Sequence, residues 1–267
     1  MLTNSEKKFT FTVDDNIRFL RELTQAPEQH LFDHPYPALW KKLHERYGVK
    51  IQLNLFYEEG GFRLCDVTDR LKPAFADASD WLKFSFHSAR EYPAHPYSTA
   101  PGKQVLSDCL AVQREIRRFA GERSLAKTTT LHYCTCTDDG VEALRTAGVR
   151  GLLGLFGTEE APRSSYQLTE PEAQQLRRGL PLVRDGMLYA NIQAVLNGIP
   201  AEKISGQIRA LTVFPAVSVM IHEQYFYPDY RAYQPDFAQK VEETVAVLTG
   251  AGFRPSFLEE WLPECFS

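Results

Sequence analysis

Apolar and polar side chains alternate along at least four stretches of this chain, and each stretch ends in an Asp or a His: residues 9–15, 82–87, 128–132 and 217–222. Successive side chains of a strand point to opposite faces. Thr10, Thr12 and Asp14 therefore share a face, as do Lys83, Ser85 and His87, and Ser218, Met220 and His222. Laid side by side and parallel, such strands would bring a carboxylate pair (Asp14, Asp15) and three imidazoles (His87, His132, His222) to one end of a sheet. That set of groups suits a metal site or acid–base chemistry.

The pattern predicts seven strands, over residues 9–13, 49–57, 82–86, 127–136, 149–156, 186–192 and 216–222. Apolar periodicity of the helical kind falls between and after them, at 16–23, 38–47, 103–119, 138–147, 171–178 and 235–248. Strand–helix units with right-handed crossovers build parallel sheets. The expected fold class is α/β, a distorted parallel (β/α) barrel of about seven strands, TIM-like, forming one domain over residues 1–267. An open parallel sheet is covered on both faces and reads apolar throughout. Here one face of several strands is polar or small, as at Gln52 and Asn54 or Thr128 and Thr130, which favours a barrel interior where such groups can bond one another. No glycine-rich dinucleotide fingerprint follows the first strand.

Composition narrows the function. With 267 residues, 43% of them hydrophobic, the chain is long enough to bury a full core. Its 30 basic and 34 acidic residues give a net charge of -4, and the absence of a basic run argues against nucleic acid as a partner. No stretch is apolar enough for a membrane span, and residues 1–8 read as too short and polar for a secretory signal, so a cytoplasmic location is expected. Five cysteines without framework spacing (Cys65, Cys109, Cys134, Cys136, Cys265) read as free thiols, although Cys134 and Cys136 would share a strand face with His132.

Asp14 and Asp15 are candidates for a general base beside a metal ligand, with helix capping by Asp15 as the plainer alternative. If the chain turns helical after His87, Glu91 lies four residues on and could join it on one metal, with His95 as a competing ligand. His222 suits a general acid, with Glu223 orienting it or bonding a substrate hydroxyl. His132 could be a third ligand, an electrostatic stabiliser or an interior residue bonded to Thr130. Tyrosines crowd the segments beyond the strand ends (Tyr57, Tyr92, Tyr97, Tyr225, Tyr227, Tyr230, Tyr233), suited either to stacking on sugar rings or to anchoring loops.

These residues resemble a family, the polysaccharide deacetylases of the NodB-homology carbohydrate esterases. Phe11-Thr12-Val13-Asp14-Asp15-Asn16 is similar to the family's Thr-Phe-Asp-Asp-Gly. His87-Ser88-Ala89-Arg90-Glu91 resembles its His-Ser/Thr-x-x-His with Glu91 at the second histidine, and Val219-Met220-Ile221-His222-Glu223 its late Leu-x-His. The resemblance implies a distorted parallel barrel and a metal-dependent hydrolase that removes acetyl-like groups from an amide or ester of a small-molecule or carbohydrate substrate. It implies Asp14 as base, His222 as acid, and a divalent transition metal on Asp15, His87 and Glu91. Zinc is first among the metals such donors suit. The family's Arg-x-Pro-Tyr is absent, and Thr130-Leu131-His132-Tyr133 stands in its place, which points to a divergent branch. A catalytically degenerate carbohydrate-binding or regulatory module on the same barrel is the alternative.

Overall fold

A computed structural model of the protein describes residues 7–163 and 165–261. The reading of the first six residues and of Cys265 falls outside them; Cys65, Cys109, Cys134 and Cys136 are free thiols.

Seven parallel strands carry the architecture: β1 (Lys8–Asn16), β2 (Ile51–Phe56), β3 (Leu82–Ser88), β4 (Thr128–Thr129), β5 (Gly151–Gly154), β6 (Met187–Asn191) and β7 (Ala216–His222). β1 lies between β7 and β2, and β3 follows β2. A second sheet holds β4, β5 and β6, with Leu182–Arg184 antiparallel at its edge. Two seams relate the sheets. At one, Phe84 bridges to Leu125, and the Ala126 N–H donates to the Phe84 carbonyl at 2.8 Å. At the other, Ala194–Val195, just past β6, pairs with Val219 and Met220 of β7. The strands thus run in sequence order round a distorted α/β barrel.

Helices cover the outside because the outward strand face is apolar. Helix α1 (Arg18–Gln25) and α2 (Pro35–Tyr47) follow β1, and Trp40 of α2 packs edge-on against Phe11 at 5.4 Å. The inward face is polar and buried, as the alternation of β1, β2 and β3 predicts. Across β2, β3 and β4 its groups bond one another, which offsets the cost of burying them. The Gln52 amide donates to Asn54 Oδ1 at 2.8 Å and to the Thr128 carbonyl at 3.0 Å, and accepts from Thr128 Oγ1 at 2.7 Å. Ser85 Oγ donates to the same carbonyl at 2.6 Å. This ladder ties β2, β3 and β4 together from inside.

Three expectations need correction. The strand expected over 127–136 stops after Thr129, and the chain turns through His132–Cys134, where Tyr133 and Cys134 take positive φ of 63° and 54°. Cys134 and Cys136 therefore share no strand face with His132. The chain after β3 does not turn helical, so the four-residue spacing from His87 to Glu91 carries no shared face. A helix at Ala201–Ala210 was not foreseen, because its apolar stripe is only Ile204 and Ile208. Among the described residues, no helix is long and apolar enough to cross a membrane.

Replacing Gln52 by Met keeps the volume and removes the donors and acceptor. Asn54 Oδ1 and Thr128 Oγ1 lose their Gln52 partners, which costs about 1–3 kcal/mol. Urea unfolding should show a lower midpoint with an unchanged slope; an unchanged midpoint would mean that the ladder contributes nothing.

Candidate active site

Strict alternation would send Asp14 and Asp15 to opposite faces of β1. The structure avoids this with a bulge: Val13 pairs with Leu53, but Asn16 pairs with Leu55, so three steps on β1 match two on β2. Asp15 takes φ 61°, a left-handed conformation that Asp tolerates better than most residues. Bulges re-aim side chains in this way, and here both carboxylates enter the barrel mouth. β3 is irregular at the corresponding place: Leu55 pairs with Phe86 and Phe56 with Ser88, leaving His87 as the extra residue. His132 sits where β4 has broken off, just before the two left-handed residues.

These three irregularities converge. Asp15 Oδ1 lies 3.0 Å from His87 Nε2 and 3.4 Å from His132 Nδ1, and the two nitrogens are 3.1 Å apart. All three residues are buried. The far nitrogens of both rings face backbone carbonyls: His87 Nδ1 meets Thr130 O at 2.5 Å, and His132 Nε2 meets Glu91 O at 3.2 Å. A carbonyl only accepts, so those far nitrogens carry protons, and each ring when neutral turns a lone pair on its near nitrogen towards Asp15. Two lone pairs and a carboxylate oxygen would then face one another, an arrangement that repels unless a proton or a metal cation joins them. Asp15 Oδ1 has no partner with hydrogen-bond geometry.

The donors fit a metal. Ligand atoms about 2.1 Å from one ion stand ~3.0 Å apart at a right angle and ~3.4 Å apart at the tetrahedral angle, and the three measured edges span that range. Imidazoles tied to carbonyls through their other nitrogen are the usual outer support of metal-ligating histidines. Among the described residues this is the one group of three such donors, and Glu91 and His95 are not in it. Glu91 contributes its carbonyl to orient His132. His95 is exposed, its ring tilted against Tyr133 at 4.1 Å between ring centres.

The charges follow from this packing. Burial works to raise the Asp15 carboxyl, but contacts with His132 and His87 outweigh it and hold Asp15 well below the carboxylate range. Burial works to lower His87, and Asp14 and Asp15 more than offset it, so its basicity rises. Asp14 goes the other way: burial pushes it up, against the pull of His87, His222 and the Asn54 amide. Asn54 Nδ2 donates to Asp14 Oδ1 at 2.6 Å. Asp14 stands opposite His222 in the register of β1 and β7. His222 Nδ1 lies 2.8 Å from Asn197 Oδ1, an acceptor that suits an Nδ1–H and leaves Nε2 for proton transfer. Gln224 Nε2 donates to Asp15 Oδ2 at 2.7 Å.

Glu223 does not join the site. Fully buried, it accepts from the backbone N–H groups of Ile17, Arg18 and Phe19 at 2.7, 2.9 and 2.8 Å, and from the Tyr227 hydroxyl at 3.0 Å. It caps α1 from another strand end, because the first N–H groups of a helix have no partner within it. Burial nonetheless pushes its carboxyl up to about 7. Of the tyrosines, Tyr97 and Tyr227 are buried anchors, whereas Tyr92 is 65% exposed. Asn54, Asn197 and Gln224 were not foreseen as site residues. Asn54 alone left a signal, as a polar residue on an inward strand face.

No protein-family model and no curated protein sequence matches this chain. Its fold is that of the polysaccharide deacetylases. A family 4 acetyl xylan esterase from Clostridium thermocellum, solved with a cobalt ion, superposes with a TM-score of 0.54 at 12% identity, over 97% of this chain and 91% of that one. A CE4 family pseudoenzyme from Bacillus anthracis gives 0.54 at 10% identity, over 96% and 66%. A 4-alpha-glucanotransferase from Thermococcus litoralis gives 0.62 at 14% identity, over 97% of this chain but 40% of its own. At these identities the likeness is one of fold.

Glu223→Ala strips the acceptor from three buried N–H groups. An unsatisfied buried donor costs about 1–3 kcal/mol, so the variant should lose several kcal/mol in chemical unfolding. A loss under about 0.5 kcal/mol would contradict this role.

Proposed function

We propose that this protein is a metal-dependent hydrolase that removes an acetyl-like acyl group from an amide or ester of a sugar-containing substrate. The observation that carries the reading is the triangle of Asp15 Oδ1, His87 Nε2 and His132 Nδ1, with Asp14 next in sequence and His222 across from it. His132 takes the place that the sequence resemblance gave to Glu91. Asp15, His87 and His132 would hold a divalent transition metal, zinc being the first candidate for two imidazoles and a carboxylate. Such an ion polarises an acyl oxygen and lowers the pKa of water.

The chain's own groups supply the proton transfers. Asp14, kept in place by Asn54 and raised by burial, accepts the proton of the attacking water; a base works best with a pKa drawn towards the working pH. His222 in its imidazolium form, with Nδ1–H held by Asn197, gives up its Nε2 proton to the departing amine or alcohol and is left neutral. A transfer between sugars by paired carboxylates would need two acids flanking a glycosidic bond. Here Asp15 is instead held among imidazoles.

One finding favours a second reading, a catalytically degenerate module: the fold is shared with a pseudoenzyme. The two readings separate on turnover of acetylated sugars.

Two predictions test the assignment. Protein purified without added metal should hold about one transition metal per chain. His132→Ala should lose most of it, while Glu91→Ala should keep it because its backbone carbonyl remains; the opposite pattern would move the third ligand back to Glu91. Asp14→Asn should retain metal and fold, yet lose at least ~100-fold in turnover. Near-normal turnover in that variant would remove Asp14 as the base.

A further inference from the structure

Tyr166 is buried, and its hydroxyl lies between two strands of the second sheet. β4 pairs with β5 through Thr128 beside Gly151 and Thr129 beside Leu152. Continued at that register, the ladder would run from the Leu131 N–H to the Leu153 carbonyl. It does not: the Leu131 N–H donates to Tyr166 Oη at 3.2 Å, and Oη donates to the Leu153 carbonyl at 2.7 Å. One phenol hydroxyl thus stands in for a strand-to-strand bond and holds the chain off β5 just where β4 ends.

The surroundings make room for this hydroxyl and fix it. Gly154 closes β5, and a Cβ there would lie 3.0 Å from Tyr166 Cε2 and from Ser165 Cβ, so its missing side chain admits the ring. Ser165 Oγ pins the segment to the chain after β5, donating to the Leu155 carbonyl at 2.8 Å and accepting from its N–H at 3.2 Å. Tyr166 and Gln167 take positive φ of 54° and 56°, a conformation that persists in such residues where the structure around them imposes it. Arg163 holds the other side of the turn, its Nη2 donating to the Tyr133 carbonyl at 3.1 Å.

The turn held in this way carries His132. The Cys134 N–H closes it on the Leu131 carbonyl at 2.7 Å, and from it His132 Nδ1 comes within 3.1 Å of His87 Nε2. The Thr130 carbonyl already meets His87, and an extended chain would run on from there by about 3.3 Å per residue, carrying His132 away along the sheet. Resting on the metal-centre reading above, we propose that Tyr166 is a positioning residue of that centre: its hydroxyl parts β4 from β5 and so sets His132 beside His87 and Asp15. It acts through the backbone of Leu131, one residue before the ligand.

The test compares the full chain with three variants. Tyr166→Phe keeps the ring and removes the hydroxyl, whereas Gly154→Ala keeps the hydroxyl and crowds the ring. Ser256→Ala is the control: it removes a hydroxyl that also joins two groups, the Phe9 carbonyl and Trp261 Nε1, but at the opposite end of β1 from Asp15. Zinc affinity is measured by chelator competition, and metal-free crystal structures are solved for the wild type and the first two variants. Those two should bind zinc about 10- to 100-fold more weakly, with His132 Nδ1 moved out of hydrogen-bond reach of His87 Nε2, while Ser256→Ala binds as the wild type does. Either of the two that folds decides the matter. If the wild type itself binds no zinc, a displaced His132 still supports the positioning role, and the metal reading alone falls. An unmoved His132, or an equal loss of zinc affinity in Ser256→Ala, would overturn the proposal.

Discussion

Burying a carboxylate costs several kcal/mol unless positive charge or hydrogen bonds replace its water, and Asp15 is buried at the mouth of this barrel with one oxygen facing two imidazole nitrogens. Neither ring makes a well-aligned hydrogen bond to that oxygen, and each turns its other nitrogen to a backbone carbonyl, that of Thr130 or Glu91. A cation at the centre of the three atoms would resolve the conflict. The rest of the site answers to that requirement. Three strand irregularities aim the donors inward, Gln224 steadies the second oxygen of Asp15, and Asn54 keeps Asp14 beside it.

The barrel interior explains why the site can exist there. A polar lumen is stable only if its groups bond one another. Gln52, Asn54, Ser85 and Thr128 do so in one ladder that ends at Asp14. Scaffold and site are therefore one network: the amide that closes the ladder also fixes the candidate base.

Much of this was legible in the sequence, and the exceptions have a common cause. Alternation in residues 9–15, 82–87 and 217–222 located β1, β3 and β7 and their inward faces, because polar residues at every second position of an apolar run fit a two-faced strand and not a helix. Alternation says nothing of bulges. It could not tell that Asp15 joins Asp14 on one side, nor that β4 breaks after Thr129 and turns His132 inward. The Glu91 assignment rested on a helical turn after His87 that the chain does not make. Glu223, next to a candidate acid, looked chemical; that it caps α1 depends on a contact 204 to 206 residues away in sequence. Asn197 gave no sign at all, since its role exists only where it meets His222.

The central claim is that one metal ion sits among Asp15 Oδ1, His87 Nε2 and His132 Nδ1. Anomalous diffraction from crystals of the protein, recorded on either side of the absorption edge of the bound metal, tests it most directly. The account predicts a single strong peak within about 2.0–2.2 Å of all three atoms. A peak elsewhere, or none after equilibration with zinc, manganese and cobalt, would contradict it.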